Sequence, residues 1–367
     1  MRKTKVKRKE NLKSQKAITL IALVITIIVL LILAAVSIAT LTGENGILTQ
    51  AGNAKEQTKV AENEEKSKIN NYEEIIDEYT NSERKAMKIV VNSGTDKKIV
   101  LPIELNSEDD YVIDWGDGTT SERGDGARTH IYSEASKDYI VTISGTLKQI
   151  YSYASETTKS QIKQILQWGE TGLTSINLQD CSNLTEIATP TSKSFANITS
   201  FSGAFCRTGI TSIPENLFAN CPNATNFGRT FMGTGITSIP ENLFTNCSNA
   251  TNFNGTFRDT EIKSIPENLF ANCSNASNFG ATFRGTEIKS IPENLFKNCS
   301  RVDDFSTTFR DCKELTNALP LWKSEYYNEG NSNVSETTVG CGCYYGCQLL
   351  EENVYIPDYW IINCPEE

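Results

Sequence analysis

The chain has 367 residues and a formal charge of −10, length enough for two or three domains. Residues 1–17 hold Arg2, Lys3, Lys5, Lys7, Arg8, Lys9, Lys13 and Lys16 against Glu10 alone, a local +7 that leaves −17 on the rest. An acidic body argues against nucleic-acid binding, which needs a basic footprint, and a single histidine, His130, nearly removes Ser-His-Asp, Cys-His and multi-histidine zinc chemistry.

Ala17 to Leu41 is a run of 25 residues without a charge. As a helix rising about 1.5 Å per residue it exceeds the roughly 30 Å hydrocarbon core of a bilayer. The basic cluster before it predicts a cytoplasmic amino terminus and an outward-facing body. A cleaved secretory signal fits less well, because the run is long and no clean small-residue site ends it. The segment from Lys16 to Leu23, KAITLIAL, resembles the type IV prepilin signal. The resemblance implies cleavage between Ala17 and Ile18, and pilin-like partners. Two departures matter: Ala17 replaces the usual glycine, and Ala22 replaces the glutamate associated with subunit assembly. Anchoring needs only the apolar helix, here residues 18–41.

Residues 42–85 open on a Gly43-Glu44-Asn45-Gly46 turn signal and from about Thr49 to Thr80 are rich in Ala, Glu, Lys and Gln, a composition that favours helix. Ile69, Tyr72, Ile76 and Tyr79 fall on one side. The segment reads as a solvated stalk.

From 86 to 147 the texture changes to short β-branched and aromatic runs separated by turns, the pattern of a small β-sandwich. Asp114-Trp115-Gly116-Asp117-Gly118-Thr119, with His130-Ile131-Tyr132 beyond it, resembles the PKD-type immunoglobulin-like domain. That resemblance implies an extracellular spacer or adhesion module. Asp114, Asp117 and Asp125 are too few oxygens for calcium and read better as caps on turn amides. His130 reads as a packing residue.

Residues 148–312 carry a leucine-rich pattern that settles into a 26-residue period, with clear copies beginning at Ile210, Ile236, Ile262 and Ile288. Each is a variation on I-x-S-I-P-E-N-L-F-x-N-C followed by F-x-x-T-F. Such a period means stacked units whose core lies between copies, a solenoid. Residues 161–168 read as a short helix leading in. Each I-x-S-I reads as a strand pairing with its neighbours, and Ser-Ile-Pro-Glu as a capping box opening a helical turn. Two phenylalanine columns, 201/227/253/279/305 and 205/231/257/283/309, are expected to stack as core. The cysteine column 221/247/273/299 reads as a ladder of buried thiols rather than disulfides. The I-x-S-I-P-E-x-L-F-x-N-C units, together with Cys181-Ser-Asn-Leu184 and the closing Tyr355-Ile-Pro-Asp-Tyr-Trp360, resemble BspA-like leucine-rich repeat surface proteins. The resemblance implies adhesion and carries no catalytic residues.

Residues 313–367 leave the period and are expected to cap its end. Cys341, Cys343, Cys347 and Cys364 suggest a disulfide or reactive thiols more than a zinc site.

The resulting expectation is a multidomain, membrane-anchored bacterial surface protein. A transmembrane helix, a stalk and a PKD-like β-sandwich would present a leucine-rich-repeat solenoid to an extracellular protein or glycan. No catalytic residue, cofactor or metal is expected. The candidate ligand face combines Arg258, Arg284 and Arg310 with Glu241, Glu267 and Glu293, and specificity is expected in the columns that vary, Gly228/Asn254/Gly280/Ser306 and Arg229/Gly255/Ala281/Thr307. The alternatives are a minor pilin-like subunit and a carboxylate-based glycan-active enzyme, although no acidic pair stands out.

Overall fold

The computed structural model describes residues 22–33, 85–105, 111–122, 128–151, 156–323, 326, 340–350 and 355–362. The basic leader, the Ala17/Ile18 junction, most of the apolar run, the stalk, Asp125 and Cys364 lie outside the described residues. The chain divides into two compact units, Met1–Asp77 and Glu78–Glu367. In the first, residues 22–33 form a helix, α1, with exposed side chains. Among the described residues no helix is long and apolar enough to cross a membrane.

The second unit begins as a β structure. Its strands are β1 (Met87–Asn92), β2 (Lys98–Val100), β3 (Ile103–Leu105), β4 (Tyr111–Asp114), β5 (Thr120–Glu122), β6 (Thr129–Ile131), β7 (Asp138–Gly145) and β8 (Leu147–Ile150). Alternation decides their faces. Met87, Ile89 and Val91 of β1 point inward, as do Tyr139, Val141 and Ile143 of β7, and they share one core with Trp115, Tyr132, Ile99 and Ile103.

The expected helix over 161–168 is not formed. A short helix, α2 (Glu156–Gln161), ends where that segment starts, and Ile162–Gln167 is a strand, β9, antiparallel to β1. The physical reason is irregular pairing. The register shifts twice along β1, so Ile165 faces Ile89 while Ile162 faces Val91. Two extra residues on β9 stretch the inward spacing from two to three, and Ile162, Ile165 and Trp168 then imitate a helical period.

Beside the two-stranded pair of β2 and β6, two sheets run on into the repeats. One has the order β11-β9-β1-β7-β4-β5, where β11 (Glu186–Ile187) pairs parallel to β9. In the other, β8 lies between β3 and β10 (Ser175–Ile176). From Ser175 parallel bridges pass to Ser200, Asn226, Asn252, Asn278 and Asp304.

This second ladder holds the copies together. The amides of Phe227, Arg229, Phe231 and Gly233 donate to the carbonyls of Asn252, Asn254, Thr256 and Arg258 in the next copy, at 2.8–2.9 Å. The same set recurs one copy on, from Phe253, Gly255, Phe257 and Asp259. The I-x-S-I segments therefore are not the pairing strands. Among the described residues no backbone hydrogen bond joins 210–213 to 236–239 or 236–239 to 262–265. Pro214, Pro240, Pro266 and Pro292, at the ends of these segments, have no N–H to give. Each proline opens a turn and not a capped α-helix: in the first clear copy Leu217 and Ala219 donate three residues back, to Pro214 and Asn216.

The phenylalanine columns stack as the spacing predicts. Phe201, Phe227, Phe253, Phe279 and Phe305 succeed one another at 5.4–5.7 Å with near-parallel rings. Phe205, Phe231, Phe257, Phe283 and Phe309 do so at 5.6–5.8 Å. A third column, Phe218, Phe244, Phe270 and Phe296, meets the first edge-on at 4.8–5.0 Å, a favourable arrangement for aromatic quadrupoles.

Two backbone columns are left-handed. One holds Gly203, Arg229, Gly255, Ala281 and Thr307 at φ of 66°, 56°, 62°, 53° and 56°. The other holds Arg207, Gly233, Asp259, Gly285 and Asp311 at 53–70°. Left-handed backbone costs an L-residue roughly 1–2 kcal/mol, and a β-branched side chain there is an outlier. Thr307→Gly is therefore expected to stabilise the protein by about 0.5–1 kcal/mol after allowing for glycine's looser unfolded state. The check is an increase in urea midpoint at unchanged m-value.

The carboxy-terminal segment does not simply leave the period. The amides of Thr307, Phe309 and Asp311 donate to the carbonyls of Cys341, Cys343 and Tyr345 at 2.8–3.0 Å, continuing the ladder. Tyr344 stacks on Phe309 at 5.6 Å, and Gly342 and Gly346 occupy the two left-handed columns at φ of 61° and 79°. Residues 341–347 thus form a further coil after a longer excursion. Helix α3 (Asp358–Ile361) closes the end, where Gly342 and Tyr344 donate to the carbonyls of Tyr359 and Trp360.

Candidate binding surface

Each copy uses its polar residues first to satisfy the stack. The thiols of Cys247, Cys273 and Cys299 donate to the carbonyls of Phe218, Phe244 and Phe270 in the preceding copy, at 3.8–3.9 Å. All are free and buried. Burial pushes Cys247 and Cys299 up to about 12 and holds Cys221 and Cys273 well above the usual thiol range. A thiol so hard to ionise is a poor nucleophile and a poor metal ligand. Cys312 and Cys347 likewise donate to Phe283 and Phe309, at 3.1 Å. Cys341 is disulfide-bonded, which removes it from any thiolate set. We expect the buried cysteines of the stack, among the described residues, to resist an aromatic disulfide reagent in the folded protein and to react together once it unfolds. Fast reaction of any column cysteine under native conditions would refute the ladder.

Threonines form a second ladder that the sequence pattern displayed without explaining. Thr230, Thr256, Thr282 and Thr308 are fully buried, and each hydroxyl lies within hydrogen-bond distance of a phenylalanine carbonyl in its own copy and one in the copy before, at 2.6–3.1 Å. The expected specificity columns are also partly committed. Asn226, Asn252, Asn278 and Asp304 accept from the amides of Gly228, Asn254, Gly280 and Ser306 at 2.7–2.9 Å. The Arg229-to-Thr307 column varies at left-handed backbone, so part of its variation is conformational.

The charged columns differ in access. Glu241, Glu267 and Glu293 are exposed. The arginines become more covered along the stack, from 30% side-chain exposure at Arg258 to 14% at Arg284 and 10% at Arg310. Arg258 pairs with Asp259 at 3.2 Å. Arg284 and Arg310 both approach Asp311, at 3.7 and 3.4 Å, and Arg310 also lies over the Tyr345 ring at 5.0 Å. The arginine column is therefore partly structural rather than fully solvated.

In the β part, Asp114 accepts from the amide of Gly116, and Asp117 from the amide and hydroxyl of Thr119. Asp117 also holds His130 at 2.8 Å. Burial works to raise the Asp117 pKa, but the hydrogen bonds from Thr119 and His130 outweigh it and hold the carboxyl below its usual range. His130 stacks on Trp115 at 4.7 Å and meets Tyr132 edge-on. The turn is a packed, self-satisfied unit.

An open groove of about 930 Å³ runs across four consecutive copies. Its lining takes in one N-C-P and three N-C-S triplets, through Asn220, Asn246, Asn272 and Asn298 with Pro222, Ser248, Ser274 and Ser300. Asn246, Asn272 and Asn298 each donate one amide hydrogen to the carbonyl of the preceding copy, at 2.7–2.9 Å. No sequence signal marked this groove. Its residues are those of any polar loop, and only their stacking makes them a surface.

The profile of the BspA type leucine rich repeat region matches residues 129–225 and 211–318, in six copies. Together these spans cover just over half of the chain. The chain belongs to the BspA-type leucine-rich repeat family. The match begins at Thr129, inside the β part, in keeping with sheets that pass unbroken into the repeats. Repeats of this family are consistent with a surface or recognition protein. No curated protein matches the chain.

Proposed function

We propose that the protein is a membrane-anchored bacterial surface protein that binds an extracellular protein or glycan noncovalently along its repeats, which form a solenoid. One observation carries the reading: near-identical copies stack in register and leave a periodic, open groove, while their buried thiols and threonines are consumed by the stack. The basic leader and the uncharged run to Leu41 support a single pass with the amino terminus cytoplasmic. The stalk and the PKD-like strands then act as spacers. The test has two arms. Protease added to intact cells should degrade the part of the chain beyond residue 85, and full-length protein should retain ligands on glycan and matrix-protein arrays. A body protected in intact cells would sink the surface placement, and blank arrays would sink the recognition role.

A further inference from the structure

We propose that the asparagine–serine groove binds an uncharged, linear polysaccharide laid along the stack, about one sugar ring per coil. This rests on the recognition reading and names its ligand class.

The lining chemistry selects the ligand. Asn and Ser dominate, with Ala196, Ala219 and Ala271 between them, and among the described residues Lys297 is the one charge on the lining, with neither a carboxylate nor an aromatic ring beside it. A cation would find no charged oxygens there. A polyanion would meet a single lysine on a chain whose body is strongly acidic. An amphipathic helix needs a hydrophobic groove, and an added strand needs free backbone groups at a sheet edge. Here the carbonyls of Ala219, Thr245 and Ala271 are already taken by asparagine amides. A chain of neutral hydroxyl-bearing rings is what such a surface can satisfy.

The groove is also preorganised. Asn246 and Asn272 are each anchored by one N–H to the coil before, which fixes the side chain and leaves its carbonyl oxygen and second N–H for a ligand. Little rotamer entropy is then lost on binding. Asn246 with Ser248 and Asn272 with Ser274 repeat this donor–acceptor pair beside a serine hydroxyl, at the roughly 4.8 Å interval of paired strands. A sugar ring in an extended polysaccharide repeats on a similar scale, so the rings keep step with the coils, alternate rings of a β-1,4 chain turn the same edge to the groove, and each added ring binds as an intramolecular event.

The experiment titrates full-length protein, in a detergent without a sugar headgroup, with β-1,4-linked glucose and N-acetylglucosamine oligomers of increasing length. Affinity should rise with each ring and level off once the four-copy groove is filled. Ser274→Trp, which fills the groove from an exposed position, should weaken binding at least tenfold with an unchanged melting temperature. Asp96→Asn, at an exposed turn of the β part, should leave it intact. Failure of every oligomer to bind, or equal affinity in Ser274→Trp, overturns the proposal. A ligand found on the arrays and lost with Glu241, Glu267 or Arg258 variants would also overturn it while leaving the wider recognition role in place.

Discussion

Replacing Phe253 with alanine is expected to destabilise the repeat unit by about 3–5 kcal/mol, the range for a buried phenylalanine whose site cannot collapse. Phe253 is fully buried. It stacks on Phe227 and Phe279 at 5.6 and 5.4 Å, and Phe244 and Phe270 approach it at 4.9 and 4.8 Å. The backbone on both sides is tied by inter-copy hydrogen bonds, so the neighbours cannot close the cavity without breaking the ladder. Each coil is stable only through its neighbours, so the loss should extend beyond one copy. Hydrogen exchange should quicken at the amides of Phe227, Arg229 and Phe231, whose acceptors lie in the copy that contains Phe253. Urea unfolding gives the magnitude, and Glu241→Ala, on the exposed side, should stay within about 0.5 kcal/mol. A Phe253→Ala loss below about 1 kcal/mol would mean that the columns are loosely packed.

The period made the core legible. A phenylalanine or cysteine recurring at fixed intervals has to meet its own copies, and the structure places both columns as that argument requires. Where the backbone bonds run was harder to read, because any non-proline residue can donate and side chains do not mark a ladder. The prolines were the available clue, since each takes a donor away beside I-x-S-I. Strand β9 was hidden by its irregular pairing, which gives Ile162, Ile165 and Trp168 a helical spacing. The coil at 341–347 was hidden by an excursion longer than the period and by Cys343 and Tyr344 standing where earlier copies have threonine and phenylalanine. The groove was invisible for a different reason. Asn246 and Ser248 become a surface only when Asn272 and Ser274 lie beside them, so the feature belongs to the stack and to no single copy. The Ala17/Ile18 junction and the stalk lie outside the described residues.

Gly340→Ala is expected to cost about 2–4 kcal/mol, between ordinary overpacking and loss of a buried aromatic. A β-carbon at Gly340 would fall inside the indole of Trp360. That ring cannot step aside, because it is buried against Trp322 at 5.5 Å and Phe305 at 6.4 Å. Displacing it would also pull away the carbonyls of Tyr359 and Trp360, to which the amides of Gly342 and Tyr344 donate. The ladder directs its amides toward the carboxy-terminal end, so this end must be given acceptors or leave buried donors unpaired. The terminal segment therefore acts as an electrostatic as well as an apolar cap. A double-mutant cycle separates the steric cause from a general backbone effect. Trp360→Ala alone should be strongly destabilising, and in that background Gly340→Ala should add less than about 1 kcal/mol, because the atom it would strike is gone. Full additivity of the two changes would show that Gly340 is required for its backbone and not for the tryptophan above it.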